Sequence, residues 1–422
     1  MAEIKKEIKE IVRVAIVGNV DDGKSTLLGR LLYDSKVLQD DVLHSVKESS
    51  SRKGLNFLDL SLVSDGLKDE RAQGITIDVA YRYFSTSTRK YIIADNPGHD
   101  QFTRNMITGA STAHVVIVLI DAIKGLKQQT FRHSYLASML GVQHLLVCVN
   151  KMDEVNYDFE VFEQIRQQFE SYVKPLPFEN VSYIPISALN GDNVVTKSDS
   201  LTWYTGQSLL QSLENLHVNS GKNLLDARMP IQTVLANGDK KPTLAAGQVA
   251  GGEFKLGEPV MILPSRQKAK IKEIHGALGA MNTARASMSV SMSLEDSTKF
   301  KRGDMIVGTD SIPSVSKRLI VNFCWLDNQP LSNTRYVVLM NATHTTCRIE
   351  RIAFKLDSTT LNEISNPEKI EANDIFQALI VCDDDVVFDT YQSNRLTGSL
   401  LLVDALTNDT VAGGMILRSE EN

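Results

Sequence analysis

Several things are scarce in this 422-residue sequence, and each shortage excludes a class of protein. No apolar run reaches the ~18 residues that a membrane helix needs; the longest useful one is Val115 to Ile120. Neither sign of charge dominates. Lys and Arg number 45 against 51 Asp and Glu, a net −6, which argues against attachment to nucleic acid by bulk positive charge and leaves only a local patch. Cysteine is sparse: Cys148, Cys324, Cys347 and Cys382 lie far apart in the chain, with no C-x-x-C spacing of a zinc or redox motif. They read as buried thiols in a reducing compartment, so a cytoplasmic protein is expected. The opening MAEIKKEIKE is charged throughout and has no apolar core of a signal peptide. Low-complexity segments and clear repeats are lacking too. What remains is 42% apolar and 23% charged, close to soluble globular averages, in a length suited to two to four domains.

Two regimes divide the chain. Residues 11 to about 215 alternate short Val/Ile/Leu runs with helical patterns such as Phe159–Tyr172. The runs are IVRVAIV (11–17), YIIAD (91–95), VVIVLID (115–121), LLVCVN (145–150) and VSYIPIS (181–187). Continuous apolar runs of this length suit strands buried on both faces of a parallel sheet, so a doubly wound α/β domain is predicted. Ligands bind such sheets beyond the carboxyl ends of the strands. The pattern loses its period around Leu216–Met229, and after Pro230 the runs are short and alternating, as in Met288, Val290, Met292 and Leu294. Period-2 spacing broken by Gly, Pro and Asn predicts antiparallel barrels, with a further break near Pro313.

The first strand runs into Gly18-Asn19-Val20-Asp21-Asp22-Gly23-Lys24-Ser25, followed by Thr26. This is G-x-x-x-x-G-K-[S/T], a phosphate loop. Gly23 can take the backbone angles that turn successive N–H groups around an anion. Lys24 supplies a point charge for the β- and γ-phosphates, Ser25 Oγ is a Mg²⁺ ligand, and the helix starting near Lys24 adds its positive end. Asp95-Asn96-Pro97-Gly98 ends the YIIAD strand; its carboxylate can hold Mg²⁺ through water, and the Gly98 N–H can report the γ-phosphate. His99 follows and is placed to orient the attacking water. Thr76, in Gly74-Ile75-Thr76-Ile77, completes the Mg²⁺ shell if the loop before it folds over the nucleotide, so residues ~35–76 form a candidate switch. Within it KESSSRKG reads as a solvated loop.

The base is read elsewhere. Asn150-Lys151-Met152-Asp153 follows the fourth run. A carboxylate at Asp153 accepts from guanine N1–H and N2–H₂, whereas adenine offers it an acceptor. Asn150 can tie this loop to the phosphate loop, the Lys151 stem can cover the purine face, and a backbone N–H in Ser187-Ala188-Leu189 can meet guanine O6. GTP with Mg²⁺ is the expected ligand pair.

The ordered set GNVDDGKS, GITI, DNPGH, NKMD and SAL resembles the translation-factor class of GTPases. A still closer likeness is to the GTPase subunits of bacterial ATP sulfurylase. It rests on VDDGKSTLLGRLLYDSK (20–36), SDGLKDERAQGITIDVAYRYFST (64–86), ADNPGHDQFTRNMITGAST (94–112) and GDNVVTKSDSLTWYTGQSLLQSLE (191–214), and returns in GSLLLVDALTNDTVAGGMI (398–416). The resemblance implies an α/β P-loop GTPase domain (1–225), mostly parallel and doubly wound, followed by two antiparallel β-barrels (226–312 and 313–422). It implies GTP hydrolysis coupled to formation of adenylylsulfate and pyrophosphate from ATP and sulfate. That chemistry belongs to a small adenylyl-transferring partner subunit, in a heterodimer or larger hetero-oligomer serving sulfate assimilation. No membrane or nucleic-acid partner is implied. By the same likeness Lys24, Ser25 and Thr76 hold phosphates and metal, His99 positions water and Asp21 holds charge near the phosphates. Asn96 stands where the family usually has Thr, Ala72 where it usually has Glu, and Gln232–Gly252 is less family-like. The adenylylsulfate kinase domain fused to some relatives is not expected here. The alternative is an elongation-factor-like GTPase that carries tRNA to the ribosome; the acidic balance and the VDDGKS segment disfavour it.

Overall fold

The computed structural model describes residues 10–52, 54, 58–63, 78–99, 103–218, 223–235, 243–295, 299–332 and 334–420. Residues 64–77, which include Ala72 and Thr76, lie outside these. The chain forms two compact units, Met1–Asn219 with Ser358–Thr360, and Ser220–Asp357 with Leu361–Asn422.

The first unit is built on a six-stranded sheet. Its strands are β1 (Glu10–Gly18), β2 (Ala80–Ser85), β3 (Arg89–Asp95), β4 (Val115–Asp121), β5 (His144–Asn150) and β6 (Asn180–Pro185), in the order β2-β3-β1-β4-β5-β6. Only β2 runs antiparallel, against β3. Every residue of β4 and β5 is buried, as continuous apolar runs in a parallel sheet require. Helices α1 (Lys24–Asp34), α2 (Asp40–Arg52), α3 (Thr103–Ala110), α4 (Gln128–Met139), α5 (Phe159–Val173) and α6 (Leu209–Asn215) accompany it. On α1, Leu27, Leu28, Leu31 and Leu32 are buried in one stripe against Val14, Ile16 and Ile93 of the sheet, the i, i+3, i+4 spacing of an amphipathic helix. Because β1 lies between β3 and β4, the connections leave it in opposite directions. This opens the crevice at its carboxyl end where doubly wound sheets bind ligands.

One sequence expectation fails here. KESSSR is helical, the last two turns of α2, rather than a solvated loop. Val46 and Ser50 are buried, Ser50 Oγ donates to Val46 O at 2.8 Å and accepts the Asp59 N–H at 2.9 Å. A serine-rich run is polar by composition, but one buried hydroxyl with both partners satisfied suffices to seat a helix face.

The second unit is antiparallel throughout. One sheet orders Arg228–Pro230, Met305–Gly308, Pro259–Leu263, Gln267–Gly276, Ser289–Leu294, Leu244–Gln248 and Thr233–Leu235. Val290, Met292 and Leu294 are buried, in line with their period-2 spacing. The other sheet begins at Ser314, one residue past Pro313, and closes on itself when Arg335–Met340 pairs with Thr343–Leu356. Each sheet has its own apolar core, and a third small cluster of Met261, Leu263, Met305, Val307 and Val387 joins them. The same junction carries a buried ion pair. Arg228 Nε meets Asp389 Oδ2 at 3.0 Å, its Nη1 donates to Ser311 O at 2.8 Å, and Thr397 Oγ1 donates to Asp389 Oδ2 at 2.6 Å. Removing one partner leaves the other charge buried and unpaired. Arg228→Ala is therefore expected to cost about 3–5 kcal/mol of unfolding free energy in a denaturant titration. A loss below ~1 kcal/mol, the range of an exposed pair, would show the junction does not depend on it.

Candidate nucleotide site

The site is assembled from four strand ends. β1 gives way to the phosphate loop, where Gly23 has φ 94 and ψ 28, and α1 starts at Lys24. The left-handed backbone here favours glycine, and space demands it as well: a Cβ on Gly23 would lie 2.4 Å from Asn150 Nδ2. Lys24 is buried, and its Nζ donates to Asn19 O at 2.7 Å and Gly18 O at 3.2 Å. Burial holds the ammonium below the usual lysine range, against the pull of Asp95, then Asp22, then Asp21. Ser25 and Thr26 are half-buried in the first turn of α1.

Two loop residues behave differently from the simple cradle. The Asp22 carboxylate is almost fully buried and accepts the Asn19 N–H at 2.6 Å, while Asn19 Oδ1 accepts the Val20 N–H at 2.8 Å. These two N–H groups are thus turned into the loop itself, and the anion-facing donors must come from its later residues. Burial pushes the Asp22 carboxyl up, opposed by the Asn19 N–H and Lys24. Asp21 has φ 67 and an exposed carboxylate, 3.6 Å from Lys124 Nζ. It acts on Lys24 only as the weakest of three carboxylates.

β3 delivers Asp95, 1% exposed, beside Lys24. Asn96 is fully buried, and its Nδ2 donates to Ile16 O and Ala94 O, each at 3.1 Å, locking this strand end to β1. Pro97 and Gly98 are buried and His99 is half-buried. A Cβ on Gly98 would lie 2.5 Å from Lys24 Nζ, so this backbone passes directly over the phosphate-loop lysine. The structure therefore brings Lys24, Asp95 and Gly98, the residue before His99, into one place. Thr76 lies outside the described residues, so its position is not part of this geometry.

The base side is held by side chains from β5. Asn150 Nδ2 donates to Asp22 O at 2.8 Å, and its Oδ1 accepts the Ala188 N–H at 2.9 Å. One buried amide thus links the phosphate loop to the loop after β6. The Ala188 N–H is consequently engaged by Asn150, which leaves the other N–H groups of Ser187-Ala188-Leu189 as candidates for a purine O6. Ser187 is buried, and its Oγ accepts the Asn190 N–H at 3.1 Å. Lys151 has φ 64 and sends its Nζ to Asp121 at 2.8 Å. Burial alone would push the Asp121 carboxyl up, but Lys151 and the N–H groups of Lys124 and Ile123 hold it below the usual range. Asp121 was not marked by any motif; its signal is only a carboxylate at the end of an apolar strand. Met152 is buried. Asp153 Oδ1 is buried and has no hydrogen-bond partner among the described residues. An acceptor left open in this way fits the N–H donors of guanine.

The donor set for a cation is a helix-start hydroxyl, Ser25, and a buried carboxylate, Asp95, both hard oxygen ligands that fit Mg²⁺. Among the described residues no three His, Cys, Asp or Glu are grouped to hold a metal by themselves. A Mg²⁺ held here would need further oxygen ligands beyond these two, such as phosphate and water.

Residues 9–231 match the model of the elongation factor Tu GTP binding domain, and residues 318–417 match the GTP-eEF1A C-terminal domain-like model. Along almost its entire length the chain is also similar to a sulfate adenylyltransferase subunit 1 from Saccharophagus degradans, 45% identical over 97% of this chain and 88% of the relative. The chain belongs to the sulfate adenylyltransferase subunit 1 family. A subunit 1 from Bacteroides fragilis is 43% identical over 98% of the chain and 87% of its own length. The bifunctional enzyme CysN/CysC of Mycobacterium tuberculosis H37Rv is 45% identical over 97% of the chain but only 67% of its own length. As a member of the subunit 1 family the chain is an enzyme subunit with a GTP-binding domain and translation-factor-like β-domains after it. Among the described residues no helix is long and apolar enough to cross a membrane.

Proposed function

We propose that this chain is the GTP-hydrolysing subunit of a heteromeric sulfate adenylyltransferase. The observation that carries the reading is the similarity to sulfate adenylyltransferase subunit 1, which runs through the GTPase unit and both β-sheets and not the GTPase unit alone. The partner is a small subunit that transfers AMP from ATP to sulfate, giving adenylylsulfate and pyrophosphate. Forming a mixed sulfate–phosphate anhydride is strongly uphill, and hydrolysis of GTP to GDP and phosphate supplies the drive. No adenylyl-transfer motif is read in this sequence, which supports placing that step on the partner.

Within this chain Lys24 and the later N–H groups of the phosphate loop bind the triphosphate. Ser25, Asp95 and Thr76 would hold Mg²⁺, directly or through water, and that ion would neutralise charge on the β- and γ-phosphates. The Gly98 N–H senses the γ-phosphate, and His99 orients the attacking water. Asp21 is assigned a secondary role in holding charge near the phosphates. Asn150, Lys151, Met152 and Asp153, with the Ser187–Leu189 loop, select guanine. Reducing surroundings fit the four buried free thiols and support a cytoplasmic setting.

The test is reconstitution. The full chain alone should hydrolyse GTP slowly and make no adenylylsulfate from ATP and sulfate. Mixed with its small subunit, it should raise adenylylsulfate formation when GTP is added, and His99→Ala should remove that rise by slowing hydrolysis. Product formation indifferent to GTP would sink the reading.

A further inference from the structure

One side chain that no motif marks holds the base loop against α1. Arg30 lies on α1, and its side chain is 14% exposed. Its Nε donates to Ala188 O at 3.3 Å, its Nη2 donates to Leu189 O, and its Nη1 meets Asp34 Oδ1 at 3.4 Å one turn on. The loop is close enough that a Cβ on Gly191 would be 3.0 Å from Asp34 Oδ2 and 3.3 Å from Arg30 Cδ. Charge-assisted bonds from a planar guanidinium to two successive carbonyls fix both peptide planes.

The direction of those planes is what matters. A trans peptide is flat, with its C=O and N–H pointing opposite ways, and the only cis bond among the described residues is Leu263–Pro264. Ala188 O and the Leu189 N–H belong to the same peptide. Fixing that carbonyl toward Arg30 turns the Leu189 N–H away from α1. The neighbouring donors of this loop are already used. The Ser187 N–H goes to Asp192 O, the Ala188 N–H to Asn150 Oδ1, the Asn190 N–H to Ser187 Oγ and the Gly191 N–H to Ser187 O. The Leu189 N–H alone has no acceptor among the described residues.

We propose that Arg30 is a positioning residue for base selection, which aims the Leu189 N–H at the 6-oxo group of the purine. The proposal rests on the guanine reading above. Within Ser187-Ala188-Leu189 it picks out Leu189 as the O6 donor.

The experiment compares GDP with 6-thio-GDP, which differs only at the 6-position and accepts hydrogen bonds poorly there. The full-length wild type, Arg30→Met and Arg30→Lys are titrated with both. The wild type should prefer GDP by about tenfold, the worth of one well-aimed hydrogen bond. Arg30→Met should bind GDP about tenfold more weakly while 6-thio-GDP is little changed, so that the preference collapses. Arg30→Lys, with a point charge that reaches one carbonyl, should fall between, and it decides the matter if the methionine variant does not fold. The kcat for GTP at saturation should stay near wild type, because no reacting atom is touched. An unchanged GDP to 6-thio-GDP ratio in the folded variants, or equal weakening of both nucleotides, overturns the proposal. A wild type that binds ADP as well as GDP would instead show that the guanine reading itself has failed.

Discussion

Gly23→Ala is expected to weaken GDP and GTP binding by about one and a half to three orders of magnitude while leaving the domain folded. Two independent costs meet at this residue. The backbone sits at φ 94, where an L side chain is strained, and the added methyl would lie 2.4 Å from Asn150 Nδ2. Relief requires either the loop or the amide to move. If the loop moves, its N–H groups leave the phosphates; if the amide moves, its 2.8 Å bond to Asp22 O breaks and the base loop loses its anchor. Strain of ~1–3 kcal/mol together with one lost buried hydrogen bond of ~1 kcal/mol gives roughly 2–4 kcal/mol, which is about 30-fold to 1000-fold in affinity. Calorimetric titration with GDP checks it, with circular dichroism as the folding control. A variant within about fivefold of wild type would mean that the loop does not clasp the phosphates in this form.

Asp153→Asn is expected to exchange the base preference rather than merely lower affinity. The buried Asp153 Oδ1 has no partner among the described residues, so the carboxylate is available to accept from N1–H and N2–H₂ of guanine. An amide in its place presents a donor to N2–H₂, but the same donor suits the 2-oxo group of xanthine. Sites built around a hydrogen bond reject the mismatched partner strongly, so GDP affinity should fall on the order of 10²–10⁴-fold and xanthosine diphosphate should become the better ligand. Competition between the two diphosphates reads the ratio directly. Unaltered selectivity for GDP would refute the assignment of this residue to the base.

Much of the first unit was legible because its signals are local. The five apolar runs became five strands, and the break at Pro313 falls just before the strand Ser314–Trp325. The expected tie between base loop and phosphate loop is present in the two bonds of Asn150. What escaped depends on partners far along the chain. Arg30 and Leu189 are 159 residues apart, and nothing near Arg30 distinguishes it from a solvated helical arginine. Asp22 was legible only as a member of the phosphate loop; that it turns inward and accepts the Asn19 N–H was not. The cysteines show the same limit. Cys347 and Cys382 are far apart in the chain, but the strands Thr343–Leu356 and Ile375–Phe388 place them directly opposite each other. Burial pushes both thiols up to about 12, which keeps them protonated and suits their reading as inert core residues. The helical KESSSR segment escaped because its fit depends on one serine out of several, and composition cannot say which.

The account stands on a guanine nucleotide seated where β1, β3, β5 and the loop after β6 converge. Titration calorimetry of the full-length, magnesium-loaded chain with GDP, GTP and ADP addresses that directly. Saturable heat at one site per chain with both guanine nucleotides, and none with ADP, is the predicted result. A folded sample that gives no heat with GDP or GTP, or the same heat with ADP, would contradict it.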